Sequence, residues 1–228
     1  MAAFIILGLG FLALMVLPSL WVRSVIARHG RDRPDFPGTG GEFARHVLDE
    51  MKLRHVTVEP TNMGDHYDPS TKTVRLIPEH FDGRSLSAVV IAAHEVGHAM
   101  QDATDYKPLK ARVQVVTIAN WLSRGAALVL MITPVLLVIA KSPAIIGLQI
   151  GAIVILAAIS ILMHATTLPV EFDASFRRAM PLLKTGGFIP ERDYEAANSI
   201  LRAAALTYVA AAAIELLNVM RWLRFLRF

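Results

Sequence analysis

The chain alternates long, uninterrupted apolar runs with short segments whose apolar positions keep a regular spacing. Residues 2–22 (AAFIILGLGFLALMVLPSLWV) carry no charge. At ~1.5 Å per residue, a helix of that length covers the ~30 Å hydrocarbon core of a bilayer, which predicts a transmembrane anchor over 1–23. A cleaved signal peptide is the competing reading. It fits less well, because no positive charge precedes the run and Arg23, Arg28, Arg31 and Arg33 follow it. Residues 31–41 (RDRPDFPGTGG) read as a linker. In EFARHVLDEM, Phe43, Val47, Leu48 and Met51 recur at helical spacing, so a short amphipathic helix follows. Val56 and Val58 alternate as in a strand, and so do Val74 and Leu76. NMGDHYDPS between them reads as turn.

Residues 85–103 (SLSAVVIAAHEVGHAMQDA) predict a helix, with Ser85 as its N-cap and no proline inside. A second apolar segment occupies 125–140 and can begin upstream near Trp121. Lys141, Ser142 and Pro143 break it. A third apolar segment over 143–163 then returns the chain to the side it left, giving a transmembrane hairpin over 121–165. Residues 203–220 (AAALTYVAAAAIELLNVM) are apolar but contain Glu215 and Asn218, so a C-terminal helix over 203–228 either spans the bilayer or lies at its interface.

Composition agrees with a membrane protein: 54% of the 228 residues are hydrophobic. The chain has no cysteine, so any metal must be held by His, Asp or Glu. The net charge of +4 comes without a basic, aromatic-interleaved stripe, which argues against nucleic acid as a partner. The partners expected are the lipid bilayer and a peptide or protein substrate.

The expectation of a substrate comes from HEVGH. On a helix, residues four apart lie on one face, so His94 and His98 can bind one ion together, with Glu95 rotated about 100° beside it. Imidazole suits zinc, and three protein ligands leave a position for water. A neighbouring carboxylate can take the proton of a zinc-activated water, which makes Glu95 the candidate general base. The motif sits in an apolar, Ala-rich helix, where three titratable groups are costly to bury without partners. Gly97 has no side chain, so another backbone can approach there, and Ala92 and Ala93 leave similar room. The best third ligand is Glu171 in LPVEFDAS, directly after the hairpin has brought the chain back. Asp173 is a candidate to hold a ligand from behind, or to substitute for Glu171. His164, near the end of an apolar span, reads better as an interfacial residue, and His66 in DHYD reads better as turn chemistry. The strand over 71–78 (TKTVRLIP) is either purely structural or an edge that pairs with an extended substrate. Arg202 and Tyr208 are downstream candidates for an oxyanion donor, although packing is the plainer role for each.

Three blocks, DHYDPSTKTVRL (65–76), AAHEVGHAMQ (92–101) and LPVEFDAS (168–175), resemble the YugP-type family of membrane zinc metallopeptidases. The resemblance covers nearly the whole chain and implies a neutral zinc peptidase with a zincin-like catalytic unit. EFDAS is also similar to the E-x-x-A-D segment of HtpX-like and CAAX-prenyl-type membrane proteases, whose Glu is the third zinc ligand. Carried over, Glu171 is that ligand and Ala174 matches. Ser175 stands where those relatives have Asp, and Asp173 is the residue that could compensate.

The expected architecture is therefore a mainly α membrane protein. It has an anchor (1–23), a small α+β catalytic unit with the HEXXH helix (40–112) and the hairpin (121–165). A segment over 168–202 supplies the third ligand and completes the catalytic unit, and a C-terminal helix (203–228) follows. One Zn2+ per chain is expected. Arg177, Arg178 and Lys184, like the basic residues after the anchor, favour a multi-pass protein with its catalytic unit on the cytoplasmic side. Two other readings compete: a zinc-stabilised scaffold without catalysis, and a site-2-type intramembrane protease. The second lacks a later L-D-G-like motif.

Overall fold

The computed structural model describes residues 2–140 and 142–206. The expected C-terminal helix from residue 207 onward, Tyr208 with it, and Lys141 at the predicted break lie outside the described residues. The chain divides into two compact units. One joins Met1–Leu109 to Pro169–Thr207, and the other is built on Lys110–Leu168.

In the first unit, helix α1 runs over Ala2–Arg28. Helix α2 (Gly40–Glu50) starts where the linker ends. Its start is fixed by reciprocal hydrogen bonds: the Thr39 hydroxyl accepts from the Glu42 N–H at 3.2 Å, and the Glu42 carboxylate accepts from the Thr39 N–H at 2.8 Å. Phe43, Ala44, Val47 and Leu48 form its buried face, as their spacing predicts.

Three short strands follow: β1 (Thr57–Pro60), β2 (His66–Asp68) and β3 (Thr73–Leu76). Their order is β1-β3-β2, with β1 parallel to β3 and β2 antiparallel to it. Two expectations are corrected here. The stretch read as turn contains β2, whose three residues are too few to show an alternating pattern. Of the two readings of the strand over 71–78, the substrate-pairing edge is excluded, because β3 is central and paired on both sides. The turn chemistry falls just after β2, where Asp68 accepts from the Ser70 N–H and hydroxyl.

A short helix α3 (Pro78–Phe81) leads into α4 (Leu86–Ala103), which carries HEVGH. Ser85 caps α4, its hydroxyl accepting from the Ala88 N–H at 3.1 Å. Nearly every residue of α4 is buried. Its apolar side chains share one core with Val47 and Leu48 of α2, Val74 and Leu76 of β3, and Leu183, Ile200 and Leu201 from the far end of the chain.

Helix α5 (Lys107–Ala140) is continuous from well upstream of Trp121, and α6 (Pro143–Phe172) follows. Both are long and apolar enough to cross a membrane. Their large apolar residues include many exposed ones, among them Trp121, Val138, Ile139 and Ile155. Helix α6 then widens without a break into a π-helical stretch, Asp173–Ala179, before α7 (Met180–Thr185). Residues 194–206 are again helical.

Candidate metal centre

His94 and His98 lie one turn apart on α4 with their ring centroids 4.7 Å apart. Glu171 enters from the last turn of α6. Its Oε2 is 3.2 Å from His94 Nε2 and 3.4 Å from His98 Nε2. The ligand atoms of the three all lie within 4.8 Å of one another, and all three residues are buried. A tetrahedral centre with bonds of ~2.0–2.1 Å separates its ligand atoms by ~3.3–3.4 Å, so these separations fit a zinc ion held by two imidazoles and one carboxylate. His66 and His164 are not part of this group.

Close approach of the two segments explains Gly97. A Cβ there would stand 2.8 Å from the carbonyl oxygen of Ala174. The open helix face expected at Gly97 is thus filled by the backbone that carries Asp173 and Ser175.

Both imidazoles are held from behind. The Ser175 hydroxyl is 3.1 Å from His94 Nδ1. Although the relatives have Asp at this position, serine still reaches the ring. His98 Nδ1 is 3.0 Å from Gln101 Oε1. Gln101 Nε2 donates to the Val170 carbonyl at 2.8 Å and to Asp173 Oδ2 at 2.9 Å. Arg178 Nε donates to the same Asp173 oxygen at 2.7 Å. Asp173 therefore acts on the site through Gln101 and not by touching a histidine. Gln101 went unassigned in the sequence, although it stands three residues after His98 on the same helix, which is the signal that could have found it.

Glu95 points to a different neighbourhood. Its carboxylate accepts from the backbone N–H of Tyr67 in β2. Burial is the largest influence and, joined by the nearby Glu171 and Asp65 carboxylates, pushes its carboxyl up to about 7 against the opposing pull of His94 and the Tyr67 N–H. For Glu171, burial works upward too, but hydrogen bonds and charge from His94 and His98 outweigh it and hold the carboxyl well below the ordinary range. Tyr67 also ties β2 to the other end of α4. Its hydroxyl donates to Asp102 at 2.6 Å, and Lys72 pairs with the same oxygen at 2.5 Å. Burial and the Asp102 carboxylate push this phenol well above its ordinary value, so it stays a donor committed to Asp102. Arg202 is exposed and lines a shallow cleft with Phe172, Phe176 and Asn198.

A family described as "Putative neutral zinc metallopeptidase" matches residues 4–227. The chain is similar to "Putative membrane protease YugP" of Bacillus subtilis (strain 168), with 38% identity over 221 residues, covering 96% of this chain and 94% of that protein. No solved structure matches. A match of this extent, over a chain whose HEVGH helix meets a buried glutamate from a distant segment, means that the chain belongs to the neutral zinc metallopeptidase family.

Proposed function

We propose that this protein is a membrane-bound zinc peptidase, with His94, His98 and Glu171 as metal ligands and Glu95 as general base. The observation that carries the reading is the convergence of three buried ligand atoms, with a fourth buried acid beside them that is held by a different element. When bound there, zinc would acidify a water and polarise the carbonyl of a peptide bond. The remaining chemistry belongs to the chain. Glu95, in its ionised form, accepts the proton of the attacking water and returns it to the leaving amine. The Tyr67 N–H aims the Glu95 carboxylate. The site lies on a largely buried helix face, which strengthens each charge interaction inside. The edge strand beside Glu95 is β2, and an extended peptide could add to that edge of the sheet.

Among the described residues, three side chains and not four form the metal group. That favours a catalytic centre over a structural zinc, which would be closed by a fourth protein ligand. Helices α5 and α6 cross the bilayer as a hairpin in this reading, with α1 as an anchor and the site on the cytoplasmic face.

Metal analysis of the detergent-purified chain, after zinc loading and removal of loose ion, should give about one zinc per chain. Glu95→Gln should keep that zinc and lower peptide hydrolysis by about 10²- to 10⁴-fold. Unchanged turnover with zinc retained would remove Glu95 from the mechanism. Glu171→Ala should weaken zinc binding far more than Asp173→Ala; the reverse order would make Glu171 the wrong ligand.

A further inference from the structure

Gln101 is fully buried and makes three hydrogen bonds, and their chemistry allows only one arrangement of protons. Two of its partners, the Val170 carbonyl and the Asp173 carboxylate paired with Arg178, can only accept. The amide NH2 must therefore face them, and its oxygen must face His98. An amide oxygen also only accepts, so His98 Nδ1 must carry the proton. The Nε2 lone pair is then left pointing at the Glu171 side of the site. We propose that Gln101 is a positioning residue that fixes the tautomer and ring plane of His98, and that the Asp173–Arg178 pair fixes the direction of the Gln101 amide.

The π-helical stretch makes this possible. In an α-helix, residues five apart are separated by about 500°, or 140° past a full turn, and diverge. The wider turn over Asp173–Ala179 stacks Arg178 over Asp173 at 2.7 Å while still presenting Ser175 to His94. The two histidines are held unequally. A hydroxyl can donate or accept, so Ser175 imposes no tautomer on His94. His98 is the locked ligand and His94 the adaptable one.

This inference rests on the metal site of the proposed function, and the test separates the two. Zinc affinity of the full-length protein in detergent is measured by chelator competition, beside 15N NMR of the histidine-labelled, zinc-loaded protein. The wild type should show a slowly exchanging proton on His98 Nδ1. Gln101→Leu should lose that proton signal and about 10- to 100-fold in zinc affinity, and Ser175→Ala should lose less than about threefold. Asp173→Asn keeps an acceptor oxygen for the Gln101 NH2, which also still donates to the Val170 carbonyl, so it should hold zinc within about threefold of wild type and keep the protected proton. The wild-type spectrum serves as the test if Gln101→Leu does not fold. Equal losses for Gln101→Leu and Ser175→Ala, an Asp173→Asn variant as weak as Gln101→Leu, or a wild-type His98 bound through Nδ1 would each overturn the assignment while leaving the metal site standing. A wild type without zinc would bring down the site itself, and this inference with it.

Discussion

Helices α4 and α6 are both rich in Ala, Ile, Val and Leu, yet they meet opposite surroundings. In α4 the apolar residues face other protein, and Val90, Ala92, Ala93 and Val96 have no exposure at all. In α6 the window that would cross a membrane is only 6% buried, and Ile155 is 47% exposed. Apolar composition therefore says that a helix leaves water, not what it enters. The polar residues make the distinction. Those of α4 each have a named partner: His94 with Ser175, His98 with Gln101, Glu95 with the Tyr67 N–H, and Asp102 with Tyr67 and Lys72. A core can supply such partners and lipid cannot.

The strongest way to break this contrast is to place the same charge in both helices. Ala93→Asp would bury an unpaired carboxylate and should cost about 4 kcal/mol or more, abolishing zinc binding in detergent. Ile155→Asp should leave zinc binding intact in detergent but oppose bilayer insertion by about 2.5–3.5 kcal/mol, read as loss from the membrane fraction of cells. An unchanged membrane fraction would mean that α6 does not meet lipid.

Glu95 offers a second, smaller test. Its carboxyl is raised in the fold, so the protonated form is the one the fold prefers. That contribution to stability is present below about 4.5 and is lost as pH rises through about 7. In the metal-free protein, Glu95→Gln should therefore raise the unfolding temperature at pH 8, by the equivalent of roughly 3 kcal/mol, and change little at pH 4.5. In the zinc-loaded enzyme the same group should give an acid limb to kcat/KM no higher than about 7, with activity falling as pH drops. Equal stabilisation at both pH values would show that burial does not govern Glu95.

The smallest effects come from paired glycines. Gly97→Ala should destabilise the site-bearing unit by about 1–3 kcal/mol, because its Cβ would meet the Ala174 carbonyl. Gly151→Ala, in the open on α6, should be neutral or stabilise by at most about 1 kcal/mol. These are read by thermal unfolding in detergent.

Much of this was legible in the sequence, for identifiable reasons. The i,i+4 spacing of His94 and His98, the Ser85 cap, the amphipathic pattern of α2 and the space at Gly97 are local signals. They survive because nothing in the tertiary structure opposes them. Glu171 was expected near the histidines on a topological argument, that a hairpin returns the chain to the side it left, and it does lie beside both. What was hidden depends on registry between distant segments. β2 was too short to show a period, and β3 became central only because β2 paired with it. The π-helical widening has no periodic signature in seven residues, so the link from Arg178 through Asp173 to Gln101 could not be read. A glutamine in an apolar helix has no chemistry of its own to announce.

The site is divided in the chain, and the division has a consequence for how the protein is made. His94 and Ser175 are 81 residues apart, and everything that the second half contributes (Glu171, Asp173, Ser175 and Arg178) lies in the last turn of α6 or beyond it. A ribosome releases the HEVGH helix first and Glu171 only after α5 and nearly all of α6 have emerged. The nascent chain thus carries an incomplete centre throughout the period when it is least folded. In the peptidase proposed above, synthesis order alone would keep activity latent until both apolar helices have been made.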